Sequence, residues 1–292
     1  QIYHPGRQST KLVNGNVTPL APSAIKDPVC QEQPKEMTVK EIKDIVKDFG
    51  DTARRVKEAG FDGVLLWWSE GFNRNDYRNG PQLVRESGLF IENIHTPIHN
   101  QNDLWLDNLE GEALTQCYLQ CIEDCAEFEI PTMVVHLPGE SYPYNPLKLD
   151  RIKRIAEKAE RLGVNVAMEN LHNLTNVSYV LEQVDSPRIG FCYDCGHHYR
   201  YYPDTDLLLL YGSRLMAIHL HDNNGSNAQH GLPFDGTTDW AETMKNIAIT
   251  GYSGPIAIEA MNWDYSNLST EEFLHRAFEQ AKKLEELRFD HE

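Results

Sequence analysis

The chain has 292 residues, 40% of them hydrophobic and 24% charged, with 19 Gly and 15 Pro; this composition buries a sizeable core and excludes collagen and disordered polyelectrolytes. Asp and Glu number 44 against 27 Lys and Arg, and the net charge of −17 repels polyanions, so no nucleic-acid partner is expected. The longest apolar runs, near 63–68 and 130–135, fall far short of the roughly 20 residues that a membrane helix needs, so no bilayer crossing is expected either.

A polar, Pro-rich stretch over 8–35 reads as a long loop. After it, short apolar runs alternate with longer amphipathic segments, the signature of a parallel sheet wrapped by helices. A helix is predicted over Thr38–Ala59, where Thr38 and Glu41 form a capping box. Strands are predicted at Gly60–Trp68, Leu89–Thr96, Pro131–Leu137, Val164–Asn170, Arg188–Asp194, Leu215–His221 and Pro255–Ala260. The intervening helices are placed at Pro81–Ser87, Glu110–Glu129, Leu147–Leu162, Val177–Val184, Asp204–Tyr211, Trp240–Thr250 and Thr270–Leu287. An eighth strand is expected near the N-terminus, at Gln1–His4 or Thr10–Val13. Eight such units without a Gly-rich dinucleotide fingerprint predict an α/β fold, a single-domain (β/α)8 TIM barrel.

Six cysteines are too few for a disulfide scaffold, and Cys117, Cys121 and Cys125 fall on one helical face as packing residues. A reduced, cytoplasmic setting is expected. No signal peptide is visible, and the first residue is Gln, which suggests a trimmed or redesigned beginning. Cys192 and Cys195 have redox-pair spacing, but they end a predicted strand and do not open a helix, so packing is expected of them too.

Ionisable residues gather where the predicted strands end: His95, His136, Glu169, Asp194 with His197 and His198, His219 with His221, and Glu259. Barrel closure brings these ends to one rim. Carboxylates that follow apolar runs need a cation or a hydrogen-bond network, and imidazole with carboxylate is a ligand set for zinc, manganese, cobalt or a similar divalent ion. Strand parity puts His172 and His198 outside the inner group. His221 shares the parity of His219 but lies past the expected strand end, and we rank it behind the ligands.

From about Phe61 onward the chain resembles the xylose isomerase-like barrel family of sugar and sugar-phosphate isomerases and epimerases, with endonuclease IV as a relative. The resemblance rests on His95-Thr-Pro, His136-x-Pro-Gly, Glu169-Asn, Asp194-x-x-His197, His219-Leu-x-Asp with Gln229-His230, and Ile-Ala-Ile-Glu259. It implies that Glu169, Asp194, His219 and Glu259 hold a metal ion, and that His95 and His136 match a further zinc position of the endonuclease branch. For its third zinc that branch uses the equivalent of His197 and an Asp-x-His, where this chain has Ala228-Gln229-His230.

Residues 1–64 resemble a segment of old yellow enzyme-type ene-reductases, carried by Tyr3-His4-Pro5-Gly6-Arg7-Gln8, Pro22-Ser23-Ala24-Ile25, Met37-Thr38-x-x-Glu41-Ile42 and Ala59-Gly60-Phe61-Asp62-Gly63-Val64. The chain therefore reads as a chimera, natural or engineered. An ene-reductase-like first βα unit (1–60, with its loop at 8–35) precedes isomerase-like units over 61–292. No flavin is expected, because no phosphate loop follows the last strands.

The implied activity is a divalent-metal (Mn, Co, Zn or Mg) isomerase or epimerase of a sugar or sugar phosphate that works through an enediolate. Glu169 and Glu259 are its catalytic carboxylates, and His197, His230 and Trp68 its substrate contacts. Trp67, Phe72 and Trp105 are further candidates for an aromatic wall. The partner expected is a small carbohydrate, and a homo-oligomer is compatible with the sequence. The alternatives are a hybrid barrel with an inherited metal site and no turnover, and a zinc phosphodiesterase of the endonuclease IV type.

Overall fold

The computed structural model describes residues 11, 16–21, 23–26, 31–68, 77–98, 100–225 and 229–289. Within the stretch expected as loop, β1 (Leu20–Ala21) pairs in parallel with β2 (Lys35–Glu36), forming a small sheet of its own. Thr38 then caps α1 (Val39–Glu58): its hydroxyl accepts the Glu41 N–H at 3.2 Å while the Glu41 carboxylate accepts the Thr38 N–H at 2.8 Å, the predicted capping box.

The main sheet is parallel and runs in chain order: β3 (Gly63–Trp67), β4 (Phe90–His95), β5 (Thr132–Val135), β6 (Asn165–Glu169), β7 (Ile189–Asp194) and β8 (Leu215–His219). Between the strands lie α2 (Gly80–Glu86), α3 (Leu109–Glu127), α4 (Leu149–Leu162), α5 (Leu174–Gln183), α6 (Cys195–Tyr201) and α7 (Leu207–Tyr211); α8 (Trp240–Ile249) and α9 (Thr270–Phe289) follow β8. This is the curled, helix-wrapped sheet of a TIM barrel. No helix among the described residues is long and apolar enough to cross a membrane.

Two expectations change, and one falls almost entirely outside the described residues. The run at Pro255–Ala260 makes one bridge, Leu220 to Ile258, held by the Leu220 N–H on the Ala257 carbonyl and the Glu259 N–H on the Leu220 carbonyl, both 2.9 Å. Pro255 has no N–H to offer a ladder, and no strand lies on the other side of this run among the described residues. The N-terminal strand candidate Gln1–His4 lies outside the described residues; of Thr10–Val13 only Lys11 is described, in a turn whose carbonyl accepts the Asn16 N–H at 2.7 Å.

Cys195 does open a helix, α6, because the Asp194 carboxylate accepts the His197 N–H at 2.7 Å and caps its first turn. Both thiols are nonetheless buried. Loss of water pushes Cys192 up to about 12 and Cys195 well above its usual value, so the packing role stands.

Strand parity separates two layers of core. Met133, Val135, Val166, Met168, Phe191 and Ile218 pack outward against the helices, whereas Val134, Ala167, Cys192 and Ala217 form a small cluster inside the curl. Two residues further along each of the inward rows stand His136, Glu169, Asp194 and His219, so small side chains below leave the volume above to polar groups.

On β4, loss of water pushes the Glu92 carboxyl up to about 7, against the opposing pull of His219, Asn93 and Tyr252. The folded chain therefore binds this proton more tightly than the unfolded chain, whose value is near 4.5, so the associated stability is full below pH 4.5 and is lost as pH rises through 7. At about 1.4 kcal/mol per pH unit the loss is on the order of 3 kcal/mol. Glu92→Gln should raise the thermal midpoint over the parent at pH 8 and leave it nearly unchanged at pH 4, as measured by parallel melts.

Candidate metal centre and active site

Glu169 ends β6, Asp194 ends β7 and His219 ends β8, all fully buried, and Glu259 follows the Leu220 bridge at 5% exposure. One ligand atom from each of the four lies within 4.8 Å of the others. The His219 Nδ1 stands between the two glutamates, 3.6 Å from Glu169 Oε2 and 3.5 Å from Glu259 Oε2. Asn170 pins the neighbouring strand ends, since its amide donates to the Asp194 carbonyl and accepts the Asp194 N–H, both at 2.8 Å.

A second group meets the first at Glu169. The His95 Nε2 and His136 Nε2 lie 3.3 and 3.1 Å from Glu169 Oε2 and 3.1 Å from each other. The other nitrogen of His95 faces the Thr96 carbonyl at 3.0 Å, an N–H donor contact that leaves the Nε2 lone pair for the site.

On the opposite flank, His197 Nδ1 is 3.3 Å from both Glu169 Oε1 and Asp194 Oδ2. His221 Nε2 is 3.0 Å from Asp194 Oδ1, and its ring stacks on His230 at 3.9 Å between centroids. His230 is held at φ 47° with its Nδ1 3.1 Å from the Glu259 carbonyl. Donor atoms of His197, His221 and His230 also fall within 4.8 Å of one another.

The field inside this cluster keeps Asp194 and Glu169 ionised. Burial alone would raise Asp194, but His197 and His221 hold it down at about 2, and His136 and His219 likewise hold Glu169 well below its usual range. Burial lowers His136, whereas at His197 and His219 the surrounding anionic groups overcome burial. Asp194 and Glu169 raise His197 to about 9, and Glu259 and Glu169, with the Cys192 thiol alongside, raise His219 well above its ordinary value.

Several of these buried atoms lack a hydrogen-bond partner: Glu169 Oε1, His197 Nδ1, both ring nitrogens of His219 and His221 Nδ1. One unpartnered carboxylate oxygen and several unpartnered imidazole nitrogens among three convergent carboxylates fit a divalent cation in chemistry as well as position. Glu169, Asp194, His219 and Glu259 would hold it.

Of the residues expected from sequence, the structure brings together Glu169, Asp194, His219, Glu259, His95, His136, His197 and His230. Trp68 does not join them. Parity turns it outward, where its indole N–H donates to Asp124 at 3.0 Å and its ring meets Phe128, while Trp67 stacks on His95 at 4.8 Å. Trp105 is buried with its N–H on Asn176, and Phe72 lies outside the described residues. His198 bonds Tyr193 and the Thr205 carbonyl, away from the cluster, as expected.

His221 enters the site after all, because the Leu220 bridge carries the extended path past His219 and preserves its inward parity. Gly196 makes room for it, since a Cβ there would come within 2.0 Å of the His221 ring. Trp263 was not among the expected residues. It is 62% exposed, with its ring 5.7 Å from His230, and it follows Glu259 by four residues in a loop with no periodic signal.

The Xylose isomerase-like TIM barrel family matches residues 53–284. The chain belongs to this family. The NADH:flavin oxidoreductase / NADH oxidase family matches residues 1–80, so the two resemblances overlap over 53–80. Among curated relatives, the uncharacterized protein y4fM of Sinorhizobium fredii is 36% identical over 132 residues, 43% of this chain and 42% of that protein. The uncharacterized protein MJ1311 of Methanocaldococcus jannaschii is 25% identical over 187 residues, 58% of this chain and 64% of its own length. The NADH oxidase of Thermoanaerobacter brockii is 40% identical over 101 residues, 34% of this chain and 16% of that enzyme. The chain thus spans less than two thirds of each.

Solved structures share the fold. A D-tagatose 3-epimerase-like protein superposes with a TM-score of 0.63 at 20% identity, covering 80% of this chain and 92% of that one. A D-allulose 3-epimerase from Methylomonas does so at 0.66 and 15%, covering 82% and 92%. A 3-keto-D-glucoside 4-epimerase from E. coli gives 0.59 and 18%, covering 83% and 95%.

Asp194 touches both His197 and His221 and belongs to the four-residue group, so Asp194→Ala should cut bound Mn(II) or Zn(II) at least tenfold at equal free metal. Metal analysis after equilibrium dialysis reads this, and retention of a full equivalent at parental affinity would break the ligand assignment.

Proposed function

We propose that this protein is a divalent-metal-dependent sugar or sugar-phosphate isomerase or epimerase. The observation that carries the reading is the convergence of Glu169, Asp194, His219 and Glu259, buried and within 4.8 Å, at the mouth of a barrel of this family. The family likeness to the tagatose, allulose and ketoglucoside epimerases supports a carbohydrate substrate.

A divalent ion such as Mn, Co, Zn or Mg, held by the four residues, would polarise the substrate's carbonyl and neighbouring hydroxyl oxygens. The protein groups manage the proton. Glu169, kept ionised by His136 and His219, can take the weakly acidic C–H proton next to the carbonyl, giving an enediolate; Glu259, across His219, can return a proton on the other side. His197, which Asp194 and Glu169 raise to about 9 in the metal-free site, is placed to hydrogen-bond a substrate oxygen. Trp263 beside His230 offers an exposed aromatic face to sugar C–H groups, the part earlier expected of Trp68.

A second reading, the zinc phosphodiesterase, draws on the way His95 and His136 converge on Glu169 Oε2, an arrangement suited to a second ion that shares that carboxylate. The charge of −17 opposes a polyanionic substrate, and Ala228 stands where the endonuclease branch has a carboxylate.

With manganese bound, the parent should exchange a substrate C–H proton with deuterated solvent for at least one member of a panel of ketoses and their phosphates. Glu259→Gln should slow that exchange about 100-fold or more, the size expected for loss of a general acid–base group. Exchange is read by NMR, alongside hydrolysis of abasic DNA. Metal binding without exchange would overturn the isomerase reading and leave a hybrid barrel without turnover; cleavage of the DNA would favour the phosphodiesterase.

A further inference from the structure

His221 has two roles open to it. Its ring shares a group with His197 and His230 whose donor atoms lie within 4.8 Å of one another, the placement of a ligand, and it also touches Asp194 of the four-residue group. The geometry of the ring decides between them. Nε2 stands 3.0 Å from Asp194 Oδ1 and 3.1 Å from Oδ2; an ionised carboxylate only accepts, so this nitrogen carries the hydrogen and donates. Nδ1 is buried without a hydrogen-bond partner among the described residues and lies against α6, where a Cβ on Gly196 would come within 2.4 Å of it. The ring is also nearly parallel to that of His230, 16° between planes and 3.9 Å between centroids. Ring-nitrogen lone pairs lie in the ring plane, so those of two stacked imidazoles run side by side and do not converge on one ion.

We propose that His221 is a positioning residue: its Nε2–H fixes the Asp194 carboxylate in the orientation that the metal centre uses, and it holds no ion itself. Asp194 Oδ1 already accepts the His197 N–H at 2.7 Å, a single contact about which the carboxylate can still turn. The His221 N–H, astride both oxygens, removes that turn. Outer partners of this kind orient a metal's carboxylate ligands before the metal arrives.

The two residues after Asp194 hold His221 in its place. The Cys195 thiol donates to the His221 carbonyl at 3.3 Å and its sulfur accepts the His221 N–H at 3.4 Å, clasping the backbone in both directions. Gly196 leaves the notch in which the ring lies, and its carbonyl accepts the Asn223 amide at 2.9 Å. Asp194-Cys195-Gly196 therefore supplies the carboxylate, the clasp and the notch in one tripeptide. The inference rests on the metal centre of the proposed function and on no particular substrate.

Equilibrium dialysis against Mn(II) of the parent, His221→Leu, His221→Gln and Gly196→Ala, each also melted without metal, tests it. His221→Leu should raise the Kd at least tenfold without lowering the number of ions bound, and His221→Gln, which returns an N–H near the Nε2 position, should recover most of the affinity. Gly196→Ala ordinarily favours a helix, yet it should weaken Mn(II) as His221→Leu does, because the added methyl displaces the imidazole. Loss of one ion while another stays at its parental Kd would make His221 a ligand and overturn the role. A parental Kd in both His221→Leu and Gly196→Ala, or equal losses in His221→Gln and His221→Leu, would overturn it too. If His221→Leu does not melt cooperatively, Gly196→Ala and His221→Gln decide: a weakened first with a near-parental second supports the role, and the same Kd in both rejects it. A parent that binds no Mn(II) would sink the metal centre as a whole and this role with it, whereas variants at parental affinity sink this role alone.

Discussion

Three carboxylates, Glu169, Asp194 and Glu259, are drawn out of water onto one side of a curled parallel sheet, and a ring of imidazoles faces them. Their mutual repulsion in a dry environment sets the terms for the rest of the molecule. Small residues fill the curl beneath them, Asn170 ties two of their strands, Asp194 spends one oxygen on capping α6, and His136, His197, His219 and His221 supply the opposing field. The atoms left without partners lie at the centre of this cluster, where a cation would complete the charge balance.

One consequence is that the same side chains serve fold and chemistry. Asp194 is a helix cap, a partner of two histidines and a candidate ligand. Glu169 lies where the His95–His136 group meets the four-residue group, so the charge state of either group is felt by the other. Such sharing makes the centre compact.

The N-terminal stretch matches a different family model from most of the chain, and the two matches overlap inside a continuous helix–strand element. The overlap of the two family resemblances, 53–80, covers the end of α1 and all of β3. β3 enters the sheet beside β4 with a single bulge. Trp67, which lies within that overlap, stacks on His95 at the edge of the ionisable cluster.

Periodicity, capping and strand-end chemistry were local enough to be read from the chain. The Thr38–Glu41 box and the six strands of the sheet follow from patterns a few residues long, and strand-end patterns and the family resemblance marked the eight expected residues that the fold brings together. What depended on distant neighbours was not legible. Trp67 and Trp68 are identical in type, and only pairing with β4 decided which faces His95 and which reaches Asp124. The extended path past His219, and with it the place of His221 on Asp194, depended on a bridge to residues almost 40 positions later in the chain. Trp263 sits in a loop, where no period constrains direction. Local hydrogen bonding and burial periods are set by adjacent residues and so are written in order along the sequence, whereas the side a residue faces at a strand's end is set by the partner that extends or abandons the ladder, and that partner exists only in the folded chain.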